Sequence, residues 1–484
     1  MPVFSLCGDY GIGTLGKGAK EFVDFLKKAG QEYWQILPLS PATAGNSPYS
    51  SDSCFAGNPY FIDIDTLISK GLLLKSEAQL YDFSDCGQKV CYDKVRQSRK
   101  DYFALAFSRF DKNSVEYKSF CSKNAFWLDD YALYKALKSE NGVLSRHDFK
   151  KEVYFKKEKA VKEENGRLSD KIEYYKFLQF EFFEQWYEIK DYANKNGIKI
   201  IGDMPMYVSD DSADVWAHPE QFDLDKSLNP RYVSGVPADA FSAEGQLWGT
   251  PVYNWDKMEK DGFSWWKSRI KHNLEIYDTV RIDHFRAFSA FYRVKNGSKN
   301  ALDGEWVKAS GEKLFSLLKA EMGEGLSLVA EDLGMIDGDV RALVKKSGFP
   351  NMSVLQFAFQ SGFDSTYLPH NLAENSVVYT GTHDNDTVIG WYNSLKKEDR
   401  EFAEKYLNFT HSEGFNFTLI RAAYMSVCRL AVVPMQDFMG LDSSARINIP
   451  GKAEGNWCWR IEGSCLNDWL AKIIKDLAAL YFRA

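Results

Sequence analysis

Nowhere in its 484 residues does the chain hold the roughly 20 consecutive apolar residues that a membrane-crossing helix needs. The N-terminus lacks a basic segment leading into an apolar one, so export by a signal peptide is not expected. Positive charge is also short: 60 Lys and Arg stand against 67 Asp and Glu, a net charge of -7. That balance argues against the basic surface nucleic acids require. The lysines between 150 and 162 are interleaved with Glu152 and Glu158 and followed by Glu163 and Glu164, a solvated mixed-charge stretch. No C-x-x-C pair occurs among the eight Cys, and the spacings Cys86/Cys91 and Cys458/Cys465 match no common zinc site. Reduced thiols in a cytoplasmic protein are therefore expected, with a plastid location open if an N-terminal segment has been removed.

Aromatic residues, by contrast, are abundant. They make up 15% of the chain, with 13 Trp and 26 Tyr. A large core absorbs most of them, but flat faces also suit sugar rings and bases.

Eight short β-rich runs punctuate the chain: 3–6, 33–39, 198–208, 279–285, 326–332, 352–359, 376–384 and 430–438. Most are nearly continuous in apolar residues, as strands buried on both faces of a parallel sheet are. Helical stripes lie between several of them, such as Ala19, Phe22, Val23 and Leu26 ending at Gly30, or Leu178, Phe182, Trp186 and Ile189 ending at Gly197. The alternation predicts an α/β fold, a single (β/α)8 barrel over 1–484. Residues 40–197 and 209–278 are too long for simple crossovers and read as insertions at the C-terminal rim, the first partly helical. After the last strand only one helix of patterned chain remains, which excludes an appended β-sandwich domain.

Gly11, Gly13 and Gly16 fit the dinucleotide-binding pattern G-x-G-x-x-G. In a dinucleotide-binding unit the first glycine follows the strand directly, and a carboxylate ends the second strand. Here residues 7–10 intervene and the second strand ends "ILPLSP". The turn is better read as the link from the first barrel strand into its helix.

Carboxylates end four of the predicted strands: Asp203, Asp283, Glu331 with Asp332, and Asp384. Strand ends at the C-terminal face of a barrel are where catalytic groups converge. Without a Cys or His ligand pattern, such a set points to divalent-cation or glycoside chemistry. Glycoside chemistry needs one ionised and one protonated carboxyl. Arg281, two residues before Asp283 and on the same strand face, is expected to keep Asp283 charged. Apolar Val329 and Ala330 are expected to raise the pKa of Glu331. Each residue also has a structural explanation, such as a buried ion pair for Asp283 or a helix cap for Glu331. Aromatics on Gly- and Pro-rich loops, Tyr49, Trp248 and Trp255, are candidate sugar platforms.

The strings "YGIGTLG", "YWQILPLSP", "SPYSSDSCFAGNPYFIDID", "IIGDMPMYV", "GQLWGTPVYNW", "VRIDHFRAF", "VAEDLG", "TGTHDNDT" and "VVPMQDFMGL" together resemble the amylomaltases, 4-α-glucanotransferases related to the plant disproportionating enzyme. The resemblance spans nearly the whole chain in the family's order. It differs at the start, where Met1 falls inside the family's first strand motif. The resemblance implies a retaining transglycosylase with no cofactor and no metal, acting on α-1,4-glucans, maltooligosaccharides and glucose. It assigns Asp283 as nucleophile, Glu331 as acid/base and Asp384 as the carboxylate gripping sugar hydroxyls. Arg281, His284 and His383 would bind around the broken bond, and Asp203, Tyr49, Trp248 and Gln246 would hold substrate nearby. An α-amylase-type hydrolase, a catalytically inert glucan-binding protein and a metal-dependent sugar isomerase are the rival readings.

Overall fold

The computed structural model describes residues 1–43, 45–140, 142–238, 243–334, 336–452 and 454–484. Seven parallel strands form its centre: β1 (Tyr33–Gln35), β2 (Lys199–Met204), β5 (Thr279–Ile282), β8 (Leu328–Ala330), β9 (Asn351–Val354), β10 (Ser376–Tyr379) and β11 (Leu430–Val432), neighbours in that order. Apart from the partly exposed β11, their apolar residues are mostly buried on both faces, as the continuous runs predict. Helices cover the outside. The helix Lys17–Lys28 buries Ala19, Phe22, Val23 and Leu26, the stripe read from the sequence. The 27-residue helix Ser169–Lys195 buries Leu178, Phe182, Trp186 and Ile189 and stops before Gly197, whose φ of 82° suits only glycine well. Trp186 is fully buried and its indole N–H donates to the carbonyl of Ile276, 3.0 Å away, so that helix is tied to the segment entering β5.

The first predicted strand is corrected by the structure. Residues Val3–Ser5 form a 3-10 turn, and the barrel has seven described strands. No ladder joins β1 to β11 among the described residues. Met1 lines the cavity between those two edges, its amine donating to the Gln35 carbonyl at 3.0 Å and its carbonyl accepting from the Trp34 indole at 2.7 Å. Just downstream, the Ser5 hydroxyl donates to the Trp459 carbonyl at 2.6 Å, and the Arg460 guanidinium reaches the carbonyls of Leu6 and Gly8. The two ends of the chain therefore meet along this seam.

The glycine-rich turn serves packing. A Cβ on Gly13 would lie 2.0 Å from the Val3 carbonyl, and one on Gly16 would lie 2.2 Å from the Asp63 carboxylate. Thr14, between them, donates to that same carboxylate at 2.7 Å.

Between β1 and β2 the chain is largely helical, with Tyr92–Arg109, Val115–Lys138 and Ser169–Lys195 as the long members. The second long segment contributes β3 (Tyr232–Val236) and β4 (Gln246–Pro251). They pair antiparallel with strands that the sequence reading did not separate out, β6 (Ala290–Lys295) and β7 (Glu305–Lys308), in the order β4-β3-β6-β7. Trp255 is buried in the core instead of standing on a loop. The expectation of reduced thiols is also corrected at one place: Cys86 and Cys91 are joined in a disulfide. The short ring it closes is bound to the C-terminal segment, with the Val90 N–H donating to the Cys458 carbonyl and the Tyr92 hydroxyl donating to the Trp457 carbonyl, both at 2.8 Å.

Candidate active site

Strand register builds the site. Asp203 on β2 and Arg281 on β5 are direct Cα partners, so their side chains leave the sheet on the same face. Arg281 Nη1 lies 2.7 and 2.8 Å from the two Asp203 oxygens. Two residues on, Asp283 again shares that face, and its Oδ1 is 3.1 Å from the same Nη1. Glu331 directly follows β8, its backbone N–H donating to Ile282, and its Oε2 stands 4.0 Å from Arg281 Nη2. One guanidinium thus gathers three carboxyls.

Glu331 is further fixed by two backbone donors, the N–H of His284 at 2.6 Å and of Leu333 at 2.9 Å. The first requires an unusual backbone: His284 has φ of 49°, in the left-handed region that non-glycine residues rarely occupy. Burial makes the His284 imidazole neutral, pushing its pKa down to about 3. Its ring meets the Trp248 ring edge-on at 4.9 Å, and Tyr207 stands near both. Gln246 accepts from the Trp248 indole at 3.2 Å.

The opposite wall is aromatic too. Tyr49 stacks on His383, with ring centres 5.0 Å apart, and Trp457 leans on both. The Tyr49 hydroxyl donates to Asp203 at 2.7 Å. Asp384, next to His383, has its side chain half exposed, and its Oδ1 accepts from the Asn448 amide at 2.6 Å. The structure therefore brings all ten candidate residues into one connected site.

Two expectations change. The Asp203 side chain is 0% exposed and both its oxygens are taken by Arg281 and Tyr49, so it holds the guanidinium and has no surface for a sugar. Nor does Arg281 keep Asp283 ionised by itself. Burial raises the Asp283 carboxyl to about 8 against the pull of Arg281, whose charge is divided with Asp203. Burial also raises Glu331, as expected, while Arg281 and the two backbone N–H groups pull the other way. Arg281 stays charged although buried, because Asp203 and Asp283 face it. At neutral pH this buried pair holds a proton that one of its members can give.

Sequence reading missed Trp457, Tyr207 and Asn448. Trp457 lies in "EGNWCWRIEG", an aromatic loop with the same Gly and Asn punctuation as those that were flagged. Among the described residues, metal-type donors gather in threes only at Asp85, Cys86 and Cys91, where the two sulfurs are bonded to each other.

The chain as a whole is similar to known proteins. A family model described as 4-alpha-glucanotransferase matches residues 1–466. The chain is similar to the 4-alpha-glucanotransferase of Clostridium butyricum, 44% identical over 486 residues and 100% of both chains. It is 41% identical to the chloroplastic/amyloplastic 4-alpha-glucanotransferase of Solanum tuberosum, over 99% of this chain and 85% of that one. Among solved structures, the amylomaltase from Streptococcus agalactiae in complex with acarbose superposes with a TM-score of 0.97 at 37% identity, covering 100% of this chain and 98% of that one.

Proposed function

Because the chain belongs to the 4-alpha-glucanotransferase family, we propose that it works through Asp283 as nucleophile and Glu331 as acid and base. The enzyme transfers α-1,4-glucan segments between chains on a (β/α)8-type barrel. The observation that carries the residue assignment is the shared guanidinium, which holds both carboxyls on one face of the barrel mouth.

Glu331 gives its proton to the glycosidic oxygen as the bond from that oxygen to the anomeric carbon breaks. Positive charge growing at that carbon favours the ionised form of the adjacent Asp283, which attacks as a carboxylate while the pair's proton leaves Glu331 with the departing oxygen. The ester formed on Asp283 retains the donor segment. Glu331, now ionised, takes the proton from the 4-hydroxyl of an incoming glucan, and that oxygen displaces Asp283. Two inversions give net retention. Asp384, its carboxylate steadied by Asn448, grips hydroxyls of the distorted ring. His284 and Tyr207 each bury a polar atom with no protein partner, Nε2 and Oη, which sugar hydroxyls can satisfy.

Transfer requires water to lose the competition for the ester. The walls formed by Tyr49, His383 and Trp457 on one side and Trp248 on the other supply faces on which an acceptor sugar displaces water. Maltooligosaccharides and glucose are the acceptors this reading implies. A cytoplasmic location agrees with a chain in which no described helix is long and apolar enough to cross a membrane.

The test is incubation of the purified protein with maltotriose, products separated by length, beside Asp283→Asn. Longer maltooligosaccharides plus glucose, absent with the variant, support the assignment. The same ladder from the variant would remove Asp283 from the nucleophile's role, and products shorter than maltotriose alone would make hydrolysis the main reaction.

A further inference from the structure

A second cavity, of about 250 Å³, lies between the loop that ends at Tyr60 and the helices Tyr92–Arg109, Val115–Lys138 and Ser169–Lys195. Its lining is cationic, which is unusual in a chain of net charge -7. Arg96, Arg99, Lys100 and Lys135 line it, against a single acid, Asp52, which is paired with Lys135. Arg96 is bound to Asp93 and Asn46 at its outer end. Arg99 differs. It is buried, its Nη2 donates to the Tyr10 carbonyl at 3.5 Å, and neither its Nε nor its Nη1 has a hydrogen-bond partner. The acid nearby, Asp63, is committed to Thr14 and Thr66. Burial brings the Arg99 guanidinium down to about 10, which leaves it charged at neutral pH.

The rest of the wall is phenolic. Tyr60, Tyr131, Tyr174 and Tyr175 line the same cavity. The charges of Arg96, Arg99 and Lys135 all act on the Tyr60 hydroxyl, and Tyr60 in turn acts on Tyr131 and Tyr174, so these groups surround one space. A buried guanidinium with two unpartnered N–H positions calls for an anion. Phenol hydroxyls and ring faces call for a body that offers oxygens on its edge and C–H groups on its face.

We propose that this cavity binds a sugar phosphate, with the phosphate on Arg99, Lys100 and Arg96 and the sugar ring among the tyrosines. It is separate from the catalytic cleft: none of the ten cleft residues lines it. The experiment is a calorimetric titration of the full-length protein with glucose 6-phosphate and, separately, with inorganic phosphate. Glucose 6-phosphate is expected to saturate one site and to bind at least tenfold more tightly than inorganic phosphate. Lys100→Gln and Tyr60→Phe should each weaken it several-fold, and Arg99→Gln more, while maltotriose transfer without added phosphate is unchanged in Lys100→Gln. Inorganic phosphate binding as tightly as the sugar phosphate would overturn the sugar part. The absence of saturation, or unaltered affinity in both Lys100→Gln and Tyr60→Phe, would overturn the site itself, even if Arg99→Gln fails to fold.

Discussion

Asp283 is a buried carboxyl held where burial opposes its charge, and that has a cost to the fold. A carboxyl whose folded pKa is raised gives stability that is complete below its ordinary value near 4 and is lost as pH rises through the raised value, here about 8. Asp283→Asn should therefore melt at a higher temperature than the parent at pH 8, and the gap should close by about pH 4. Transfer activity should fall with it by on the order of 10³-fold or more, since the covalent step is removed. Scanning calorimetry across pH, beside initial rates on maltotriose, checks both. Arg281→Gln should do the reverse to the fold. It leaves Asp203 buried and unpaired, which costs about 3–5 kcal/mol in a denaturant titration. Arg281 and Asp283 were legible in "VRID" because strand period two puts them on one face. The division of one guanidinium among three acids was not legible, because it depends on β2 lying beside β5 in a register that no local pattern encodes.

Loops and turns carry the next level. Gly16→Ala would drive a Cβ into the Asp63 carboxylate, and Gly13→Ala would drive one into the backbone at Val3. Each should cost about 1–3 kcal/mol, with no change in affinity for any nucleotide cofactor. The failed dinucleotide signature thus has a plain structural cause. The turn after β5 is different: its strain at His284 is what aims an N–H at Glu331. Trp457→Ala should cost about 3–5 kcal/mol of stability, since the ring is buried, and should replace longer maltooligosaccharides with maltose and glucose among the products, because one acceptor wall is lost. Chromatography of maltotriose digests reads that shift directly. Period and punctuation revealed the seven barrel strands and several of the helices that cover them. They did not reveal the four-stranded antiparallel sheet, because its strands β6 and β7 follow a site turn and read as part of a barrel crossover.

At the scale of the molecule, opposing titrations set the pH of greatest stability. Burial raises Asp283, Glu331, Asp332 and Asp437, so their contribution shrinks as pH rises past 4 toward the raised values. Burial lowers His272 to about 4 and His284 to about 3, so theirs is present above the ordinary value near 6.5 and shrinks as pH falls through it. The four acids outnumber the two histidines, so these groups should make the melting temperature fall as pH rises from about 4, which thermal scans from pH 4 to pH 9 will show.

The seam where Met1, Ser5 and Leu6 meet Gln35, Trp459 and Arg460 also has a consequence in time. A ribosome delivers Tyr49 early and Trp457 near the end, and the two rings form one wall of the cleft. The contacts of Ser5 and Leu6 therefore cannot form until the segment that carries Trp459 and Arg460 has been made. A nascent chain stalled before Trp457 should be a client for chaperones and unable to process sugar.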